Sequence, residues 1–502
     1  MARINNLFQL SGNTNGRRRG ALIGIAVGAA AVLAGISLAA VGPIYTAIIA
    51  AVLAGGFWVI SRLENAITAM ILVVVILPYA TLPFKIVLTP SFLDITMGVV
   101  IILYLFQWMN GERRTFTTTP VHIFILLLMA VTVFSFVAGL RYAGLTSNRL
   151  RQVAELMVCM SFGMILVDLI DSNDKLESIM RVLMLAGALA AVVGIILWIL
   201  PNTLTNSILG RLAIIGYPGG DVIHNIEDNP ELAERAIGTA VDPNSFGGVL
   251  VVLASLTTGQ LVASKPILGS RWLTSIILIL MVSCLALTFS RGAMLAYVVA
   301  AAFIAVMTDR RLIVAMIVVI AVIAILPFSQ EYVERFLSGV QGSDLATQMR
   351  FGEYKDAFIL LSRYPLLGVG FSGAPDIDIY LGVANLYLTI ASNMGLLGLA
   401  SFLGLVGYLL YYASTARTAM DKGTTLRATW LGLMGAIIAV LVSGIFDHYF
   451  FNLEFFHAST ILWILIGLLI ATAKLGLDQL RSNPGDLNST RDQMNRSPEV
   501  PV

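Results

Sequence analysis

Apolar stretches of about membrane-spanning length recur along this chain, separated by short polar connectors, and they constrain its fold more than any other feature. The first runs from Ala21 to Val41, and a second follows at once. Hydrophobic residues fill 58% of the 502 positions and charged residues only 12%, which leaves too little polar surface for a water-soluble globule. A stretch of about 20 apolar residues crosses a bilayer as a helix. The sequence therefore predicts an all-α, polytopic membrane protein.

The distribution of charge predicts the topology. Lys and Arg total 31 against 29 Asp and Glu, so the net charge of +2 gives no bulk field for nucleic acid. Hydropathy predicts about 14 transmembrane helices, and the positive-inside rule places both termini in the cytoplasm. The predicted segments are a cytoplasmic N-terminus at 1–20, transmembrane helices at 21–200, a first long outer loop at 201–244, central transmembrane helices at 245–326, a second long outer loop at 327–384, C-terminal transmembrane helices at 385–473 and a disordered cytoplasmic tail at 474–502.

Arginines occur on the predicted outer side, where the positive-inside rule predicts few. They are Arg235 in the first long loop, Arg291 between two predicted spans, and Arg350 and Arg363 in the second loop. A guanidinium beside hydrocarbon needs a counter-ion, and a lipid phosphate or diphosphate supplies one. Ordinary interfacial snorkelling, or salt bridges to loop carboxylates such as Glu353, would explain the same arginines without a function.

The second long loop has three further patterns. Phe351, Tyr354, Phe358 and Leu361 repeat at steps of three and four, which predicts an amphipathic helix lying flat on the outer interface. Gly368 to Gly373 spells GxGxxG but follows no predicted strand, so we interpret it as a turn back toward the membrane. Asp376-Ile-Asp378 spells DxD, and we interpret these carboxylates as solvated rather than as metal ligands.

Four stretches resemble the bacterial O-antigen ligase and O-antigen polymerase superfamily in order and spacing. They are Arg235-Ala-Ile-Gly238-Thr before Asp242-Pro243-Asn244-Ser245; Leu287-Thr-Phe-Ser290-Arg291-Gly292-Ala293; Arg350 to Ser362 followed by Tyr364-Pro365-Leu-Leu-Gly368-Val-Gly370; and Asn385-Leu-Tyr-Leu followed by Met394-Gly395-Leu-Leu-Gly398-Leu. The resemblance covers roughly Arg235 to Leu399. The remaining spans match only by number and hydropathy.

The resemblance implies a membrane glycosyltransferase of the GT-C type that works without a metal or another cofactor. Its donor would be a polyprenyl-diphosphate-linked glycan on the outer face of the bacterial plasma membrane, and its other partners a glycan or lipid acceptor and membrane lipids. Arg291 and Arg350 lie at the family's arginine positions, so they are the candidate catalytic residues that stabilise the departing diphosphate. The candidate substrate-binding residues are Arg235, Arg363, Asn385 and Ser290.

The chain departs from the ligase pattern at the position of the general base. Ligases commonly carry His before the Asn-Leu-Tyr stretch, where this chain has Ala384, and Asn393 replaces an acidic residue. This departure favours a polymerase over a strict ligase. Asp447 and His448, at the predicted outer end of a span, are candidates for the missing titratable group. A simple helix-capping role would explain the same pair.

Two other classes fit the coarse pattern. A lipid-linked oligosaccharide flippase, or another secondary transporter, can have about 14 spans, but it concentrates polar features near the midplane and often in repeated halves. This chain has its arginines at the outer surface and no convincing internal repeat. A structural partner in a glycan assembly complex is the third class, and it predicts that the arginines are dispensable.

Overall fold

A computed structural model describes residues 62–83, 89–325, 330–342, 345–371 and 383–482. It also describes 42–61 apart from position 48, and isolated positions between 28 and 40. Contacts divide the chain into two units, residues 1–66 and 67–502. The first unit contains helix α1 (Gly42–Ser61). Helix α2 (Leu63–Ile76) begins in the first unit and continues into the second. Asp376 and Asp378, and the predicted tail beyond 482, lie outside the described residues.

The second unit is helical almost throughout. Its further helices are α3 (Phe92–Met109), α4 (Val121–Gly139), α5 (Ser147–Leu169), α6 (Asn173–Ile199), α7 (Asn202–Arg211), α8 (Pro243–Gln260), α9 (Arg271–Leu287), α10 (Arg291–Thr308), α11 (Arg311–Ile325), α12 (Gln330–Gln341), α13 (Leu345–Arg363), α14 (Leu386–Thr415), α15 (Thr425–Phe446) and α16 (Phe456–Ser482). Within the described part of the chain, nine helices are long and apolar enough to cross a membrane, namely α1, α3 to α6, α10 and α14 to α16. Helices α2 and α9 are apolar but shorter. The protein is therefore a polytopic helical membrane protein, as the apolar stretches predict.

Helix α8 lies at the centre of the second unit, and nearly all of its residues are buried. Helix α15 packs along α8 and α10, while α16 packs along α5. Small residues allow these close approaches: a Cβ on Gly259 would lie 2.5 Å from Gly432 Cα, and one on Gly467 would lie 2.5 Å from Gly163 O. Lipid tails are as apolar as helix side chains, so the hydrophobic effect does not drive helices together within a membrane. Close packing between small residues stabilises their association instead.

Buried ion pairs hold the N-terminal spans together. Asp168 accepts hydrogen bonds from Arg113 at 2.9 Å and from the Tyr104 hydroxyl at 3.0 Å. Arg151 binds Glu155 at 2.6 Å, one turn along α5.

Asp242 caps the N-terminus of α8. It accepts a hydrogen bond of 2.6 Å from Ser245 N, and Pro243 lies in the first turn of the helix. An aspartate cap followed by proline is a favourable helix start.

A turn at residues 364–371 and a break in α14 bind one another through backbone groups. Val369 N and Gly370 N donate to the carbonyls of Ser392 and Asn393, at 2.9 and 2.8 Å. Leu396 N donates to Pro365 O at 2.7 Å. Gly395, inside α14, has φ 68° and ψ −169°, which interrupts the helix at this joint. The described part of the glycine-rich motif, residues 368–371, therefore lies in a turn, as the sequence predicts, and the carbonyl and amide groups of this turn replace the lost helical hydrogen bonds.

Candidate functional site

A small polar cavity lies at the end of the bundle where α10 begins and α15 ends. Its volume is about 70 Å³. Three guanidinium groups and one carboxylate contribute to its walls, which are formed by Arg235, Asn244, Phe289, Ser290, Arg291, Gly292, Ala293, Arg350, Ser443, Phe446, Asp447 and Tyr449. The formal charge of its ionisable groups is therefore positive, with the N-terminus of α10 adding to it. Such a cavity favours an anion.

Arg291 enters the cavity from the first turn of α10. The chain reaches it through a tight turn in which Phe289 has φ 52° and the Thr288 hydroxyl accepts from Ser290 N at 3.2 Å. A positive φ is rare for a bulky residue and persists only where its surroundings enforce it. Gly292 then packs on α15, where a Cβ would lie 2.6 Å from Phe446 Cβ. Gly292 thus lets α10 approach α15 closely enough to share the cavity.

The Arg235 side chain is attached to the turn that precedes Arg291. Its Nε donates to Thr288 O at 2.8 Å and its Nη2 to Asn244 Oδ1 at 2.6 Å. The backbone next to Arg235 binds the same segment, because Ala236 N donates to Leu287 O at 2.8 Å. The first long loop is therefore bound to the end of α9, and Arg235 both lines the cavity and supports the Phe289 turn.

Arg350 is held at the cavity by its neighbours on α13. Glu353 Oε2 accepts from the backbone N of Ala384 at 2.8 Å, just before α14. The Tyr354 hydroxyl donates to Ile445 O, near the end of α15, at 3.2 Å. Helix α13 is therefore connected to two helix ends of the bundle. The amphipathic segment predicted from the sequence is a helix, and one of its turns faces this cavity.

The second loop also contacts Arg291 through α12. A Cβ built on Gly339 would lie 2.9 Å from the Cζ of Arg291 and nearer still to Nη1. The guanidinium therefore lies directly against helix backbone. Nothing in the Ser-Arg-Gly motif signals this contact, although Val333 and Leu337 at a step of four indicate a helix there.

Asp447 and His448 follow α15. Asp447 lines the cavity, and its Oδ1 accepts from His448 N at 2.8 Å and lies 3.0 Å from His448 Nδ1. Burial alone would lower the pKa of His448, but Asp447, with smaller contributions from Glu353 and Asp242, raises it above its usual value. His448 thus contacts Asp447 and is not among the residues that line the cavity.

Asp242 is a further buried carboxyl group near this pair. Burial raises its pKa, and the negative charge of Asp447 raises it further, against the Ser245 amide and the Arg235 guanidinium, which lower it. Asp242 therefore keeps its proton to a higher pH than a solvent-exposed aspartic acid.

The remaining predicted residues divide into two groups. Ser290 lines the cavity, whereas Asn385 caps α14, accepting from Leu388 N at 3.0 Å and donating to Ile445 O at 2.9 Å. Arg363 ends α13, about 20 Å along the helix from Arg350, and is not among the cavity residues. Asn244, Ser443 and Tyr449 also line the cavity, and no local pattern in the sequence marks them, because packing of α8 against α15 brings them there. No cluster of three or more His, Cys, Asp or Glu suited to a metal occurs within the described ranges.

The fold and cavity together define a class: a polytopic helical membrane protein with an anion-accepting cavity at one end of its bundle. Residues 276–403 match the O-antigen ligase family model, which agrees with the resemblance that the motifs carry. The match includes Arg291 and Arg350, while Arg235 and Asp447 lie outside it. It supports a ligase-type or polymerase-type function on membrane glycans.

Two further comparisons add no argument about function. No curated protein matches the chain. A solved structure described as "Structural coordination of polymerization and crosslinking by a peptidoglycan synthase complex" aligns with 71% of this chain and 97% of that chain, at 16% identity and a TM-score of 0.38. A likeness at that level is too low to assign a fold relationship.

Proposed function

We propose that this protein is a membrane glycosyltransferase that uses a polyprenyl-diphosphate-linked glycan donor on the outer face of the bacterial plasma membrane. Both termini would then lie in the cytoplasm. The observation that carries the proposal is the meeting of Arg235, Arg291 and Arg350, from three separated stretches of sequence, around one cavity. A diphosphate is a multiply charged anion with several acceptor oxygens, and arginine is the side chain best matched to it.

The chemistry follows from where charge develops during transfer. The bond between the sugar's anomeric carbon and the diphosphate oxygen breaks, and the acceptor's hydroxyl oxygen forms a new bond to that carbon. The electron pair of the broken bond stays on the diphosphate, so fixed positive groups beside it lower the barrier. Arg291 and Arg350 supply those groups, and Arg235 supports the turn from which Arg291 extends.

The acceptor hydroxyl must also lose its proton. Asp447 is the carboxylate in the cavity wall, and its Oδ1 lies 3.0 Å from His448 Nδ1. We assign Asp447 as the proton acceptor and His448 as the residue that positions it. This assignment supplies a base in a chain that has Ala384 where ligases commonly have His. The departure from the ligase pattern at Ala384 favours the polymerisation of repeat units over the ligation of finished chains.

The test is a transfer assay in membranes from cells that express single variants. Arg291→Ala and Arg350→Ala should each lower the rate of glycan transfer at least about a hundredfold, the usual effect of removing a group that stabilises the transition-state charge. Expression and membrane insertion should remain normal. Lys355→Ala, an exposed cation on the same helix as Arg350, is the matched control and should leave the rate unchanged. Retention of transfer by both arginine variants would reject the enzymatic assignment and favour a structural partner.

Cells that lack the protein distinguish the remaining possibilities. Loss of long surface chains with single repeat units still attached indicates a polymerase. Undecorated acceptor together with long lipid-linked chains indicates a ligase. Accumulation of lipid-linked glycan on the cytoplasmic leaflet indicates a flippase and would contradict the proposal.

Chelation of metal ions provides an independent test of how the negative charge on the departing diphosphate is neutralised. Because guanidinium groups supply the positive charge in this proposal, EDTA should leave the rate of transfer by purified protein unchanged. A loss of rate that Mg²⁺ or Mn²⁺ restores would contradict the metal-independent assignment.

A further inference from the structure

A second and larger cavity is a groove between α3 and α5, of about 520 Å³. One face of each helix forms its walls, because the lining positions recur at steps of three and four. The apolar wall residues are Met97, Gly98 and Ile101 on α3, and Leu150, Ala154 and Val158 on α5. Phe456, the first residue of α16, also lines the groove. Both α3 and α5 have the length and hydropathy of membrane spans.

The length of the groove matches one leaflet. Its lining runs from Ser147 to Val158, which is about 16 Å along α5. Half of the hydrocarbon core of a bilayer is about 15 Å thick. Helix α5 has 23 residues, so at about 35 Å it exceeds the full core, and its first turn reaches the headgroup level. A groove with this position and apolar lining is suited to a hydrocarbon chain.

Three charged residues, Asp94, Arg151 and Glu155, also line the groove, and we call this part of it the mouth. Their charges indicate which headgroup the lipid carries. Arg151 Nη2 binds Asp94 Oδ2 at 2.8 Å and Arg151 Nε binds Glu155 Oε1 at 2.6 Å, while Arg151 Nη1 donates to Thr89 O at 2.9 Å. Two carboxyl groups therefore share one guanidinium, and all three side chains are largely buried. A diphosphate would meet a guanidinium that is already bound on three sides and two acidic groups. A headgroup that donates hydrogen bonds and carries positive charge complements this mouth.

We propose that the groove binds a phospholipid with a primary ammonium headgroup. One of its chains would lie along Gly98 and Ala154, and its ammonium would donate to Asp94 and Glu155. The site does not depend on the proposed transfer reaction, since none of its residues lines the arginine cavity.

The experiment is native mass spectrometry of the full-length protein released from nanodiscs of defined composition. Three otherwise identical preparations contain phosphatidylethanolamine, phosphatidylcholine or phosphatidylglycerol with the same acyl chains. The wild-type protein should retain phosphatidylethanolamine at least about tenfold more than either other lipid, the ratio expected from one additional hydrogen bond between charged groups. Equal retention of the three lipids would mean that the groove holds bulk lipid, and it would overturn the proposal.

Variants that fill the groove locate the bound lipid. A Cβ on Gly98 meets no atom within 4 Å, so Gly98→Leu extends into the groove without a clash and should lower phosphatidylethanolamine retention at least about tenfold. Ala154→Leu, on the opposite wall, should do the same and covers the case in which the first variant folds poorly. Gly407→Leu is the matched control, because Gly407 is exposed on α14 with equally open space, and it should retain the lipid.

A separate pair of variants tests the mouth. Asp94→Asn and Glu155→Gln should reduce the preference for phosphatidylethanolamine over phosphatidylcholine to about onefold, because the two headgroups differ in their N–H donors. Full preference in both variants, or retention unaffected by the groove-filling substitutions, would show that the lipid binds elsewhere. Transfer activity is not the readout, so failure here leaves the proposed function to its own test.

Discussion

Gly339→Ala tests whether the rate of glycan transfer depends on the position of the Arg291 guanidinium in the cavity. The added Cβ would lie 2.9 Å from Arg291 Cζ, while unstrained carbon atoms are separated by about 3.5 Å or more. Cζ must therefore move by at least about 0.6 Å, and Nη1, which is closer, by about 1 Å. A displacement of about 1 Å in a positioning group costs on the order of a hundredfold in rate. We expect the rate of glycan transfer to fall by about that factor.

The same substitution should not unfold the protein. Alanine is favoured over glycine in a helix interior by up to about 1 kcal/mol, and the atoms that must move belong to the end of a flexible side chain. Thermal unfolding in detergent micelles should therefore give an equal or slightly higher Tm. Gly352→Ala, on the neighbouring helix α13 with no atom within 4 Å of its new Cβ, is the matched control. If Gly339→Ala transfers glycan at the wild-type rate, Arg291 does not act from the position described.

Two further predictions concern pH. The folded-state pKa of Asp242 is raised above the unfolded value of about 3.9, so the wild-type protein should lose stability as the pH rises from about 4 through the folded pKa. Asp242→Asn keeps a good helix cap and should remove that loss, which melting curves between pH 4 and 8 would detect; parallel curves for the two proteins would refute it. The pKa of His448 is also raised, so the stability it contributes should be complete below its unfolded pKa of about 6.5 and decline as the pH rises through the folded pKa. His448→Gln should lack this decline, and a decline of equal size in the variant would assign it to another group.

The sequence predicted the parts of this structure that depend on local pattern. Apolar stretches gave the helical membrane architecture, and the repeat of Phe351, Tyr354, Phe358 and Leu361 gave a helix in the second long loop, because both depend on neighbouring residues. The charge-topology rule selected Arg235, Arg291 and Arg350 as unusual without any knowledge of their distance from one another. That these three line one cavity could not be derived, because it depends on how α9, α10, α13 and α15 pack.

Other features were not accessible from local pattern. The break of α14 at Gly395 replaces helical hydrogen bonds with bonds to residues 365, 366, 369 and 370, and only the folded chain shows these partners. Helix α12 was not predicted, although Val333 and Leu337 lie one turn apart in the sequence. Arg363 shares the charge and the predicted side of Arg350, yet it lies at the far end of the same helix. Sequence proximity to a motif is therefore a weak guide to which arginine enters a cavity.

The joint between the 364–371 turn and the broken helix α14 has a consequence for comparing this protein with its relatives. At Gly370 a methyl group would lie 2.5 Å from Gly139 Cα, and at Gly395 one would lie 2.5 Å from Leu367 N. Main chain meets main chain there, and no rotamer change can make room. Any homologue that builds the same joint must keep glycine at these places whatever sugar it handles. Invariant glycines in this region would thus report a shared architecture, and differences in substrate choice should be sought among the side chains that surround the arginines.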